Sequence, residues 1–226
     1  MPALDSLPLY DQAILVLAAL VLFTSFALLS QGRMFNLVTV FAWQGGLLAI
    51  TAALVAYSTG QHHLYVSAVL ALVLKALLIP WMLRRLVEHL GVRHEVEILG
   101  QRALILLVGA ALVVFSYYVS LPIVQLSTLV TRNTIGVSLA VVLLSMLLMI
   151  TRRQAVSQVV GFMALENGLF FAAVVSTYGM PMVVELGIAF DVLVAAVLFG
   201  VFFLQLRDTI DSLDVDRLSR LTEDVE

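Results

Sequence analysis

The 226-residue chain is 62% apolar and 12% charged, with mean hydropathy +1.08. That is more apolar surface than a soluble domain of this length can bury, so the lipid bilayer must be its solvent. A net charge of −3 without a basic patch excludes a nucleic-acid binder, and the absence of cysteine excludes disulfides, iron–sulfur ligation and thiol catalysis.

A hydrocarbon core about 30 Å thick needs roughly 20 helical residues to cross it. Seven apolar runs meet that need: 11–30, 35–57, 64–83, 103–121, 135–151, 155–177 and 183–206. The first lacks a basic leader and a small-residue cleavage site, so it is expected to be a retained helix, not a signal peptide. Run 135–151 is the shortest, and its start can extend back to Thr131. Breakers stand where runs stop: Gly32, the segment STGQHH at 58–63, Pro122 and the GMP turn at 179–181. The expected fold is all-α and polytopic, with seven transmembrane helices. The units are 1–102 (three spans and an interfacial segment), 103–134 (a linker helix and outer loop), 135–206 (three spans) and 207–226 (an acidic tail).

The loops divide by charge. Arg33, Arg84, Arg85, Arg93, Arg102, Arg152, Arg153, Arg207, Arg217 and Arg220 fall on one side, and Arg132 alone on the other. Basic loops stay in the cytoplasm, so the N-terminus is expected outside and the C-terminus inside. Residues 85–102 mix charge with Leu86, Leu90, Ile98 and Leu99, which suits a short interfacial helix. The tail carries seven acids against three arginines, with Ile210, Leu213, Leu218 and Leu221 near helical spacing. It reads either as a solvated helix or as a docking helix for a cytoplasmic partner. The four histidines (His62, His63, His89 and His94) lie in loops or at run ends, so no mid-membrane pair could ligate a haem. No cofactor or metal is expected.

Four ionisable residues fall inside runs: Lys75, Glu166, Glu185 and Asp191. Placing an Asp, Lys or Arg at mid-helix costs about 2.5–3.5 kcal/mol on insertion scales, so such residues need a reason to be there. Glu166, Asp191 and Lys75 are deep, whereas Glu185 is close enough to the outer end to reach water. A carboxyl in hydrocarbon resists ionisation unless a cation or a wet cavity supports its charge, and a nearby ammonium can therefore gate a proton. No nucleophile–base set, metal spacing or phosphate loop accompanies them, so the pattern favours charge movement over bond chemistry. Each also has a structural reading. Glu166 and Asp191 could be acids hydrogen-bonded across helix interfaces, Lys75 could pair with an acid on a partner protein, and Glu185 could be a solvated end residue.

Spans one to three overlay spans five to seven at an offset of about 122 residues. Gln44 then falls opposite Glu166, Gly46 opposite Gly168 and Asn36 opposite Gln158. Both triplets would share one orientation, as a parallel repeat.

GFMALENGLFF at 161–171, followed by VVELGIAFDVLVAAVLFGVFFLQLRD, resembles hydrogenase-4 component E, a subunit of membrane-bound, complex I-related [NiFe] hydrogenases and formate hydrogenlyase-like complexes. The likeness covers essentially the whole chain. Spans five to seven also resemble the NuoK subunit of complex I and the MrpC subunit of Na⁺/H⁺ antiporters. NuoK carries two buried glutamates implicated in proton translocation, and Glu166 in ALEN matches the first. Ala195 stands at the place of the second, with Asp191 one turn earlier. Lys75 has no counterpart in three-helix NuoK. The residues and the resemblance together point to Glu166 as a central relay with Asp191 its neighbour, Lys75 as an electrostatic partner or gate, and Glu185, Gln44 and Asn167 as secondary candidates. It implies partners of three kinds: antiporter-like subunits of the NuoL/M/N or MrpA/D type, a NuoH-like anchor, and a cytoplasmic hydrogenase or other redox arm. No catalysis by this polypeptide alone is expected. A structural adaptor and a stand-alone secondary transporter are the alternatives.

Overall fold

A computed structural model describes residues 9–89, 101–126, 134–176, 186–198 and 200–201. Among these residues the chain is almost wholly helical, without strands. Its elements are α1 (Leu9–Ser30), α2 (Met34–Thr59), α3 (His62–Ala71), a π-helical stretch (Leu72–Leu78), α4 (Ile79–His89), α5 (Arg102–Leu126), α6 (Thr134–Thr151) and α7 (Ala155–Ser176). A shorter apolar helix, α8 (Leu186–Leu198), follows. The segment from α3 through the π stretch to α4 is one continuous span, so six described helices are long and apolar enough to cross a membrane. The predicted seventh run is represented by α8, and the rest of it, with Glu185 and the acidic tail, lies outside the described residues.

Two sequence expectations change. Pro122 does not end its helix, because α5 continues to Leu126. Proline removes one N–H and crowds the carbonyl four residues back, and a membrane helix tolerates that near its last turn. Arg85–His89 do not open a separate interfacial helix either, since they are the last residues of α4. Leu86 and Val87 there are buried, whereas Arg84, Arg85 and Glu88 are exposed, so an amphipathic turn extends the span. Residues 90–100 of that expected segment lie outside the described residues.

Turns form where the backbone demands it. Gly60 adopts φ 67°, a left-handed conformation that closes α2 and reverses the chain through Gln61 into α3. Several serine and threonine hydroxyls within the spans satisfy themselves on their own helix, as Ser25 does by donating to Val21 O at 3.0 Å and Ser145 by donating to Val141 O at 2.7 Å.

The helices form two rows. α2 packs against α1, α3, the π stretch and α4, and α6 packs against α5 and α7. The rows meet along α1–α6 and α2–α7. Small residues set the close approaches within the second row. A Cβ at Gly168 would come within 3.0 Å of Val141 and Val142 side-chain carbons, and one at Gly136 within 2.8 Å of Ser120 Oγ. The α2–α7 seam is parallel and in register. Ser157 donates to Met34 Sδ at 3.5 Å, and Asn167 donates to Gln44 Oε1 at 3.1 Å. Both pairs are separated by 123 residues, close to the repeat offset read from the sequence.

Two apolar clusters fill the bundle, one toward each end. The first gathers Phe41 of α2, Ile79 and Leu83 of α4, Leu148 of α6, and Met163 and Ala164 of α7. The second gathers Val21 of α1, Leu48 and Ala52 of α2, Ala71 of α3, and Phe170 and Phe171 of α7. Along each of these helices the interval between the clusters holds buried polar residues: Ser25, Gln44, Lys75, Ser145, and Glu166 with Asn167. The bundle therefore carries a polar layer midway between two dry ones.

Candidate functional site

Lys75 is fully buried and stands in the π-helical stretch. π-turns within helices are uncommon and frequent at functional sites, because the widened turn redirects a side chain. Here the stretch lies against α2 at Gly45, where a Cβ would approach Lys75 C and Cβ to 2.9 Å. Only glycine allows that contact, and the contact fixes the level at which the lysine enters the core.

The Lys75 ammonium ion-pairs with Glu166 Oε2 and donates to Asn167 Oδ1 at 3.0 Å. It also lies 3.4 Å from Asp191 Oδ2 and 4.9 Å from the centroid of the Phe170 ring. Both Asp191 oxygens are buried and accept no hydrogen bond from the described residues, so the ammonium supports that carboxylate by charge. The polar chain continues beyond the ions. Asn167 donates to Gln44, and Gln44 Nε2 donates to Ser25 Oγ at 2.9 Å. Side chains of α1, α2, α7, α8 and the π stretch are thus linked across the bundle.

One ammonium faces two carboxylates. In a low-dielectric interior an uncompensated charge is expensive, so each of the three ionisable groups depends on the others' placement. The acids differ in access. Asp191 is sealed at 0% exposure, whereas Glu166 retains 8% and borders a groove of about 280 Å³ between α7 and α8. Glu166 Oε1 faces Gly187 there, and a Cβ at that position would come within 2.9 Å of the oxygen.

Five sequence candidates, Glu166, Asp191, Lys75, Gln44 and Asn167, are thus brought together. Glu185 lies outside the described residues. Lys75 pairs with acids of its own chain, not with an acid reserved for a partner. Sequence reasoning missed Ser25, Gly45 and Gly187, whose only signal is a small residue inside an apolar run.

Arg152 was also missed, counted among the loop arginines yet 2% exposed. It donates from Nη2 to Leu29 O at 2.8 Å and Gln31 O at 3.0 Å, closing the C-terminus of α1 where carbonyls lack helical partners. Burial, and to a lesser degree the positive charge of Arg102, lower its pKa to about 10.

The chain is 36% identical over 188 residues to uncharacterized protein Rv0085 of Mycobacterium tuberculosis, covering 83% of this chain and 86% of that protein. The chain belongs to the same family as that mycobacterial protein. It is also 23% identical over 205 residues to hydrogenase-4 component E of Escherichia coli and of Shigella flexneri, covering 91% of this chain and 95% of those proteins. No family model matches the chain, and no solved structure matches it. The chain is a membrane protein by its six long apolar helices, with weak similarity to hydrogenase-4 component E along most of its length.

Proposed function

We propose that this protein is an accessory integral-membrane subunit of a complex I-like hydrogenase or Mrp-type assembly, and that its buried cluster forms part of a proton or cation path. The observation that carries this reading is Lys75 placed between Glu166 and Asp191 in the mid-bundle polar layer. When Glu166 takes up a proton, Lys75 loses its charge partner there and is drawn to Asp191. When Asp191 takes up the proton, the ammonium returns. Occupancy of one acid is thus felt at the other, and Asn167, Gln44 and Ser25 hold the lysine's third direction. The similarity to hydrogenase-4 component E supports membership in a multisubunit complex, whose other members would be antiporter-like subunits, a NuoH-like anchor and a cytoplasmic redox arm. The NuoK-like reading of α6, α7 and α8 rests on ALEN in α7. The arginine-rich end, with Arg33, Arg84, Arg85, Arg152 and Arg153, would face the cytoplasm of a prokaryote, leaving the N-terminus outside.

A structural reading is favoured by one fact, that Lys75 is fully enclosed by its own chain and ties α7 and α8 to the first row. Glu166→Gln in the native complex separates the two readings. A relay loses coupled ion movement in membrane vesicles while the subunits still co-purify in fixed ratio. A strut loses the assembly, or leaves ion movement intact.

A further inference from the structure

At the arginine-rich end, two guanidiniums converge on one turn without an acid between them. Arg152, in the turn from α6 to α7, donates from Nη2 to Leu29 O and Gln31 O of the turn from α1 to α2. Arg102, the first residue of α5, lays its guanidinium on that same turn: a Cβ at Gly32 would come within 2.5 Å of its Nη2 and 3.0 Å of its Cζ. Arg102 is exposed and Arg152 buried, and Nε and Nη1 of Arg152 have no hydrogen-bond partner among the described residues. Neither arginine forms a salt bridge among the described residues, and neither do the exposed Arg33 and Arg153 next to these turns. The charged group that bears on Arg152 is another cation, Arg102. Helices α2, α5 and α7 begin here without an acid in the first turn, and Arg33 gives α2 no side-chain cap. Their positive ends are offset by the carbonyl ends of α1 and α6, so the surplus left is that of the guanidiniums themselves.

We infer that this junction binds the phosphate of one anionic lipid headgroup, seated on the exposed Arg102 guanidinium over Gly32 with the buried charge of Arg152 behind it. Arginine suits that ligand, because its planar fork donates two parallel hydrogen bonds to phosphate oxygens. Access needs no cavity, since Arg102 is itself exposed at the start of its span. Depth selects the source of the phosphate. The spans α1, α5 and α6 all have an end at this junction, which places it at headgroup level. Basic sites between transmembrane helices at that level take anionic lipids. Arg152 acts by charge alone, because burial keeps its N–H groups from the ligand. A bound monoanion offsets a buried cation that otherwise stands uncompensated. Arg84 at the same end differs, being an exposed arginine that donates to Thr39 Oγ1 at 3.0 Å. The inference involves neither Lys75 nor the two acids it contacts.

The probe is dioleoyl phosphatidylglycerol, titrated into the delipidated full chain in mild detergent and counted by native mass spectrometry. Dioleoyl phosphatidylcholine is the zwitterionic reference. The expected result is one phosphatidylglycerol per chain, held roughly tenfold or more tighter than phosphatidylcholine. Arg102→Gln, an exposed change, should abolish that preference. Gly32→Val should do the same with every charge retained, because the new side chain takes the place of the Arg102 guanidinium. Arg84→Gln should bind as wild type does. Equal affinity for the two lipids overturns the inference. An equal loss in Arg84→Gln also overturns it, since the preference would then be one of diffuse surface charge. Displacement of the bound lipid by an equal concentration of inorganic phosphate overturns the lipid as the source and leaves a site for a free anion. If Gly32→Val does not purify in monodisperse form, Arg102→Gln decides, and an undiminished preference there overturns the site.

Discussion

Asn167 accepts a hydrogen bond from Lys75 at 3.0 Å and donates one to Gln44 at 3.1 Å, so a neutral amide of the second row joins two side chains of the first, the buried ammonium and the Gln44 amide. An amide can do both because its oxygen and nitrogen play opposite roles. The relationship makes Lys75 the centre of the polar layer, with contacts to Glu166, Asn167 and Asp191.

Lys75→Met therefore removes the one cation, among the described residues, in contact with two buried carboxylates. Truncating one partner of a buried pair costs about 3–5 kcal/mol, because a charge is left uncompensated. We expect a large fall in unfolding free energy in mild detergent, followed by helical circular dichroism during denaturation. The triple variant Lys75→Met, Glu166→Gln, Asp191→Asn should recover most of that loss, since no charge then remains to be paired. A triple variant as unstable as the single would show that packing at the π stretch, and not electrostatics, dominates.

Asn167 and Gln44 should be coupled energetically. Asn167→Ala leaves Gln44 Oε1 without its donor and is expected to cost about 1–3 kcal/mol. A double-mutant cycle with Gln44→Ala isolates the pair itself, and membrane hydrogen bonds of this kind average about 0.6 kcal/mol with a maximum near 1.7. Strict additivity of the two changes would contradict the bond.

The three deep charges were legible in the sequence because lipid makes a charge costly wherever it stands: Lys75, Glu166 and Asp191 announce themselves by interrupting apolar runs. Span positions were legible for a related reason, since the hydrocarbon thickness dictates run length. Which helix faces which was not, because composition alone does not mark an interface. Glu166 and Lys75 are 91 residues apart in the chain, and nothing local to either marks the other. Arg152 looked like any loop arginine because its burial depends on where α1 ends in space. Pro122 misled because the rule it follows in water, where a helix interior cannot spare a hydrogen bond, is relaxed near the end of a membrane helix.

Arg152→Met tests the closure of α1. The change keeps a long apolar stem but removes the donor to Leu29 O and Gln31 O. Losing a charged donor to two buried carbonyls is expected to cost about 1–3 kcal/mol, offset in part because the buried guanidinium is itself poorly solvated. Amide hydrogen exchange should rise first in the last turn of α1 and around Gln31, with α5 unaffected. Uniform acceleration across the bundle would mean that Arg152 supports the whole fold and not one helix end.

Gly45 and Gly46 are neighbours with opposite predicted responses to alanine. A Cβ on Gly45 would meet Lys75 C and Cβ at 2.9 Å and Lys75 O at 3.0 Å, atoms of the π stretch and the base of the lysine side chain that cannot rotate away. Gly45→Ala must push α2 from that stretch, an overpacking change that costs about 1–3 kcal/mol. Because the displaced element carries Lys75, the variant should also weaken the contacts to Glu166 and Asp191 and lower any ion movement that depends on them. A Cβ on Gly46 meets nothing within 4 Å. Gly46→Ala should be neutral or stabilising by up to about 1 kcal/mol, through reduced backbone freedom in the unfolded chain and better helix propensity. Parallel denaturation of the two variants in one detergent checks both signs at once. Equal effects at the two positions would mean that α2 does not meet the π stretch at Gly45 as described.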